Sequence, residues 1–154
     1  MSISAITESE AVRTVVASVP HCIDGRRWPA LRALFAEVVE TDYRSLVGGE
    51  VEQQKGDDLI EAWRKLLTPL GATQHLLGPI TVTLAEGGGN HATAECHVRG
   101  YHFKKGAAGG DEWMVAGHYV FALAREDGHW KIRSLGLQTL YQTGNLKLLE
   151  QAGS

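Results

Sequence analysis

The chain is short of the features that announce several large classes of protein. Only two cysteines, Cys22 and Cys96, occur in 154 residues. They lie far apart, in segments that read as a helix end and a strand, which excludes a disulfide framework and a Cys-x-x-Cys metal knuckle and leaves buried free thiols as the expectation. No His-x-His or His-x-x-x-His spacing is present, so no metal site is expected. No Gly-x-Gly-x-x-Gly or Walker loop occurs either; the glycine clusters fall in hairpin turns, and no cofactor is expected. Apolar runs stop well short of the ~20 residues a membrane-spanning helix needs, and no membrane partner is expected. The start, Met-Ser-Ile-Ser-Ala-Ile-Thr-Glu, lacks the basic and apolar regions of a signal peptide, which makes a cytoplasmic location the expectation. Positive charge is not in surplus: 15 Lys and Arg against 18 Asp and Glu leave a net charge of −3. The basic pairs Arg26-Arg27 and Lys104-Lys105 stand isolated, so no nucleic-acid partner is expected.

What the chain does have is 44% hydrophobic residues, enough at this length to bury roughly 70% of the unfolded surface around one core and one internal pocket. One domain over residues 1–154 is expected. It also has seven histidines. Histidine is the side chain that most readily exchanges protons near neutral pH, so the question is which of the seven are placed to do so.

The start carries a helix signature. Thr7 with Glu10 three residues later forms a capping-box pattern, and Val12, Val15, Val16 and Val19 recur at helical spacing until Pro20, which predicts a kink or an end. After the turn-like Asp24-Gly25-Arg26-Arg27, a second helix opens near Trp28-Pro29, with Leu31, Leu34 and Phe35 inward. From Val39 to Val47 the pattern alternates, with Thr41, Tyr43, Ser45 and Val47 on one side, which predicts a strand turning at Gly48-Gly49. Asp57 or Asp58 starts a third helix whose stripe is Leu59, Ala62, Trp63, Leu66 and Leu67, closed by Pro69 and Gly71. From Gln74 onward the chain reads as strands over 74–84, 92–103, 113–125 and 130–141, a meander whose last turn is Asp127-Gly128. Helices followed by an antiparallel sheet predict an α+β layer architecture. The long strands are apolar on both sides, so the sheet is expected to be covered by helices on one face and by a second subunit on the other, giving a homo-oligomer, dimer or trimer. A sheet curled around the helices would enclose a cone-shaped cavity.

Polar residues among these apolar ones carry the functional information, because a buried polar group is costly without a partner. Asp24 ends the first helix near its buried face, and reads equally as a turn-forming residue. Tyr43 shares the side of Thr41 and Val47, where a packed tyrosine with a satisfied hydroxyl is the usual case. His75 lies in Thr73-Gln74-His75-Leu76-Leu77-Gly78 at a strand start, where a lone histidine is more often a hydrogen-bonded core residue than a catalyst. His102 falls in the small, apolar parity set Ala94, Cys96, Val98 and Gly100, which points it inward and His97 outward. His118, in Gly117-His118-Tyr119, either lines the cavity or faces out. His91 and His129 flank turns, and His21 caps a helix end.

These blocks, with Asp24 closing the first helix, Trp28 through Leu34 in the second, Asp42-Tyr43-Arg44-Ser45-Leu46, Thr73-Gln74-His75-Leu76-Leu77-Gly78 and Asp127-Gly128-His129-Trp130-Lys131-Ile132, resemble the superfamily typified by nuclear transport factor and the SnoaL-like polyketide cyclases. Within it they look most similar to scytalone dehydratase and its bacterial relatives, over roughly residues 10–145. The resemblance implies a cone-shaped α+β barrel: a curved, mostly antiparallel sheet wrapped around N-terminal helices and enclosing a deep apolar pocket. It also implies cofactor-independent acid-base chemistry. Position by position it implies Asp24, Tyr43, His75 and His102 as catalytic residues; Trp63, His118 and Tyr119 are expected as substrate-binding residues. The sequence departs from the family pattern in carrying Ile23 where the dehydratase has a tyrosine, and Gly117, His118 and Tyr119 where it has a serine and an asparagine.

The expected function is a lyase of the dehydratase type acting on a small hydroxylated cyclic or aromatic ketone. A polyketide cyclase, an isomerase, a dehydrohalogenase or a non-catalytic carrier of a small apolar ligand are the alternatives that the same fold accommodates.

Overall fold

The structure is a computed structural model, described over residues 2–87 and 89–151. Helix α1 (Ile3–Asp24) begins earlier than the capping pattern suggests. Ser2 accepts from the Ala5 N–H at 3.2 Å, while the Thr7 hydroxyl donates back to the Ile3 carbonyl at 3.0 Å. Thr7 is thus a residue of the helix rather than its cap. Pro20 also lies inside the helix, which runs one further turn to Asp24. It ends in a Schellman arrangement: the Arg27 N–H donates to the Cys22 carbonyl at 2.8 Å and the Arg26 N–H to the Ile23 carbonyl at 3.0 Å. Arg26 takes the left-handed position with φ +54°.

Helix α2 (Trp28–Ala33) follows, with proline in its first turn. Strand β1 (Phe35–Asp42) starts at Phe35 and stops at Asp42, so the predicted strand over 39–47 is shifted. The cause is local. Asp42 accepts from the Arg44 backbone N–H at 3.2 Å and forms a forked pair with the Arg44 guanidinium at 2.9 and 2.8 Å, which turns the chain out of the sheet. Tyr43 then caps the one-turn helix α3 (Arg44–Val47), and Ser45 ties it to the next layer by donating to the Leu137 carbonyl at 2.6 Å. Strand β2 (Glu52–Lys55), helix α4 (Gly56–Leu67) and strands β3 (Ala72–Leu77), β4 (Thr81–Leu84), β5 (His91–Phe103), β6 (Glu112–Glu126) and β7 (His129–Gly144) complete the fold, with α5 (Leu148–Gln151) at the end.

The seven strands form one sheet in the order β2-β1-β7-β6-β5-β3, with β4 also paired to β5 and β1 parallel to β7. Register shifts between Ala116 and Gly117, and between Ala122 and Leu123, bend it. The sheet curves without closing: β2 and β3 remain edges. Along β5 burial alternates residue by residue, with Ala94, Cys96, Val98, Gly100 and His102 inward. The core lies between this inner face and the helices, around Val12, Val16, Leu31, Phe35, Phe121, Leu123 and Ile132, all at most 2% exposed. Cys22 and Cys96 are free, buried thiols, as expected, and burial pushes Cys96 up to about 11. Among the described residues, Leu76, Leu140 and Tyr141 stay exposed on the outer face. Among the described residues, no helix is long and apolar enough to cross a membrane.

Candidate active site

Three elements meet at one end of the core: the C-terminus of α1, the strand β3 and the inward row of β5. The register places Thr73 opposite His102 and His75 opposite Gly100. Directly paired residues of an antiparallel ladder share a face, so both histidines point to the interior. Their rings stand edge to face with centroids 5.4 Å apart. Gly100 lets them stand this close. A Cβ on Gly100 would lie 3.1 Å from His75 Cδ2 and 3.3 Å from His102 Cε1.

Asp24 reaches this pair from α1. Its Oδ1 lies 2.7 Å from His75 Nδ1, its Oδ2 accepts from the His75 backbone N–H at 2.7 Å, and the Thr73 hydroxyl donates to Oδ1 at 2.9 Å. Burial pushes the Asp24 carboxyl up, but the hydrogen bonds from the His75 ring and backbone, the His75 charge and the Thr73 hydroxyl together outweigh it, and the group sits below its ordinary 3.8. A carboxylate can only accept, so the proton of this contact sits on His75 Nδ1, and in the neutral tautomer this selects, Nε2 carries the lone pair.

His102 is different in kind. It is 6% exposed and stacks on Trp113 with centroids 4.4 Å apart. Its Nδ1 is buried without a hydrogen bond. Burial, then the neighbouring His75, pull it down to about 4; the Trp113 and Gly100 backbone and the charge of Asp24 oppose this only in part. His102 is therefore a neutral imidazole at pH 7.

Both histidines line a cavity of about 250 Å³. The wall is apolar and aromatic: Ile23, Leu46, Trp63, Trp113, Val115 and Leu137 contribute, with Leu149 from α5. Among the described residues, Tyr43 and Tyr119 add phenol groups to its lining beside the two histidines. Burial raises both phenols, Tyr43 well above 10, with Tyr119 adding to it, and the Cys96 thiol and the charge of Asp24 further raising Tyr119. Asp24 itself does not line the cavity; His75 stands between.

Of the seven residues singled out in the sequence, six converge here: Asp24, Tyr43, His75, His102, Trp63 and Tyr119. Tyr43 arrives by a different route from the one predicted, as the cap of α3 rather than as a strand residue. His118 is the exception. It pairs with the outward His97, its ring 5.3 Å from that ring, and its Nε2 lies 3.8 Å from Glu95 Oε2 on the outer face of the sheet. The choice left open by the sequence thus falls on the outward side. Residues the sequence did not single out are Thr73, Trp113 and Arg26. Thr73 was legible in principle, two residues before His75 and so on its face. Among the described residues, no group of three or more His, Cys, Asp or Glu side chains could hold a metal ion.

Comparison with known proteins gives a family and a fold. The SnoaL-like domain family matches residues 4–136. No curated protein matches the chain in sequence. Among solved structures, a protein from Kribbella flavida aligns with a TM-score of 0.87 at 24% identity, over 95% of this chain and 99% of that one. A candidate scytalone dehydratase from Novosphingobium aromaticivorans aligns at 0.80 and 19% identity, over 94% and 92% of the two chains. A type 2 hexachlorocyclohexane dehydrochlorinase aligns at 0.76 and 15% identity, over 92% and 90%. At these identities the likeness is one of fold.

Proposed function

The chain belongs to the SnoaL-like domain family, and from that premise we propose that it is a cofactor-independent lyase that removes water from a small, neutral hydroxylated cyclic or aromatic ketone. The observation that carries this reading is the 2.7 Å contact between Asp24 Oδ1 and His75 Nδ1 at the edge of an apolar cavity. A carboxylate behind an imidazole raises its basicity and holds one tautomer, which leaves Nε2 free to act as a general base.

The steps follow from the residues present. His75 Nε2 takes the proton from the carbon next to the substrate carbonyl, and the C–H electron pair moves to the carbonyl oxygen as an enolate. Tyr43 or Tyr119, both protonated well above neutral pH, donates a hydrogen bond to that oxygen. The enolate then re-forms the carbonyl, a carbon–carbon double bond forms, and the C–O bond to the hydroxyl breaks. The proton now on His75 leaves with the hydroxide as water. His102, neutral at pH 7, orients the substrate by a hydrogen bond and does not supply the proton. Ile23 lines the cavity where the resemblance to scytalone dehydratase implies a tyrosine, and Tyr43 and Tyr119 are the phenols that line it here.

The cavity favours an uncharged substrate. Among the described residues its lining holds no Lys, Arg, Asp or Glu, so a charged group would be desolvated without a counter-charge. A dehydrohalogenase reading uses the same base with a halide leaving group, and the likeness to a dehydrochlorinase fold makes it the natural second arm of a substrate screen.

The experiment is to screen cyclic and aromatic β-hydroxyketones, and their β-halo counterparts, for elimination. Asp24→Asn and His75→Ala are each expected to lower turnover by at least 10²-fold with ligand binding little changed. Full activity in either variant would overturn the mechanism.

A further inference from the structure

Arg26 lies behind the site and touches neither the cavity nor Asp24 directly, yet its contacts are specific. Nη1 donates to Thr73 Oγ1 at 3.0 Å and to the Ile23 carbonyl at 3.1 Å, and Nη2 donates to the Leu67 carbonyl at 3.0 Å. One guanidinium thus ties the end of α1, the end of α4 and the start of β3, the elements whose junction brings Asp24 to His75. The residue holds a left-handed backbone, φ +54°, at the helix-ending position where glycine is usual. A non-glycine residue there is strained.

The direction of each hydrogen bond follows from the chemistry. A guanidinium has only donors, so Thr73 Oγ1 must accept from Arg26. The hydroxyl proton is then directed to its other close partner, Asp24 Oδ1, 2.9 Å away. Without Arg26 the hydroxyl is free to rotate and Asp24 loses a reliable donor. Resting on the reading of Asp24 and His75 as an acid-base pair, we propose that Arg26 is a positioning residue, which through Thr73 fixes Asp24 as a carboxylate aimed at the His75 ring. The groups facing Asp24 are His75 and Thr73 from β3, with Arg26, His102 and Tyr119 felt through their charge or polarity.

The test needs no substrate. The Asp24 carboxyl carbon, assigned by its disappearance in Asp24→Asn, is followed by carbon-13 NMR from pH 7 downward in the folded protein. Thr73→Val and Arg26→Gln are each expected to displace this resonance at pH 7 and to raise its titration midpoint by roughly one pH unit, the size of losing one hydrogen bond to a charged group. Thr73→Ser, which keeps the hydroxyl, leaves both as in the wild type. The double variant Arg26→Gln/Thr73→Val moves no further than Thr73→Val alone, because the route through Thr73 is already cut. Full additivity in the double variant would overturn the proposal and make Arg26 a bare charge. Should Arg26→Gln not fold, Arg26→Lys decides: it keeps the charge but cannot span all three acceptors, so the resonance moves, and a wild-type resonance overturns the proposal. Turnover of Asp24→Asn tests the acid-base reading separately, so either can fail alone.

Discussion

Acid is expected to destabilise this protein through His102 in a pH window where the contribution of Asp24 is still intact. Burial, reinforced by His75, carries His102 from its ordinary 6.5 down to about 4. The unfolded chain therefore binds a proton near 6.5 that the folded chain refuses until about 4, so the unfolded state holds more protons throughout that interval and stability falls as acid is added. One proton is worth about 1.4 kcal/mol per pH unit. The whole interval removes about 3 kcal/mol, and the part between pH 6.5 and pH 5 about 2 kcal/mol. Against a total stability of roughly 5–15 kcal/mol that is a large fraction. Asp24 acts lower. Its folded value lies below 3.8, so its stabilisation is complete above 3.8 and is lost only as the pH falls through the folded value. Urea unfolding at pH 7, 6 and 5 compares the wild type with His102→Phe, whose ring keeps a stack on Trp113 but takes up no proton. The difference in unfolding free energy between the two proteins should change by about 2 kcal/mol across that range, in favour of the variant at low pH. Parallel profiles would refute the reasoning, whatever the absolute cost of the substitution.

Three further outcomes follow from the geometry. Gly100→Ala places a methyl 3.1 Å from His75 Cδ2 and 3.3 Å from His102 Cε1, so the rings must part; turnover on the substrate found by screening should fall on the order of 10²-fold, and wild-type kinetics would show that the spacing of the rings is irrelevant. His118→Ala removes a ring from the outer face and should leave turnover unchanged and stability within about 0.5 kcal/mol; a catalytic defect would return His118 to the site. Phe121→Ala empties a position that is 1% exposed and should cost about 3–5 kcal/mol in denaturant unfolding, a smaller loss meaning that the core collapses around the gap.

Much of the site was legible because strands have a two-residue period. Parity along β5 alone puts His102 inward and His97 outward. The same rule is silent for His118, since β6 is apolar on both sides, and only its pairing with the outward His97 settles the matter. The hairpin at Asp127-Gly128 was also local: both residues hold positive φ, +49° and +80°. Tyr43 shows the opposite case. Alternation from Val39 to Val47 is real in the sequence, but the forked pair between Asp42 and Arg44 wins over it and turns the chain into α3. Arg26 was visible merely as half of a basic pair, because nothing near it in sequence reveals that its acceptors include Leu67 and Thr73.

By itself the sequence determined the long helices α1 and α4, the long strands β5, β6 and β7, the buried face of β5, and the residue types able to exchange protons in an apolar setting. These are consequences of short-range periodicity and turn chemistry, which act within a few residues. The tertiary structure decided which of those residues meet. Asp24 and His75 are 51 positions apart and share a proton only because α1 ends against β3; the cavity beside them exists only because the sheet bends around the helices and stays open. Contacts at such separations depend on register and packing, which no local pattern contains.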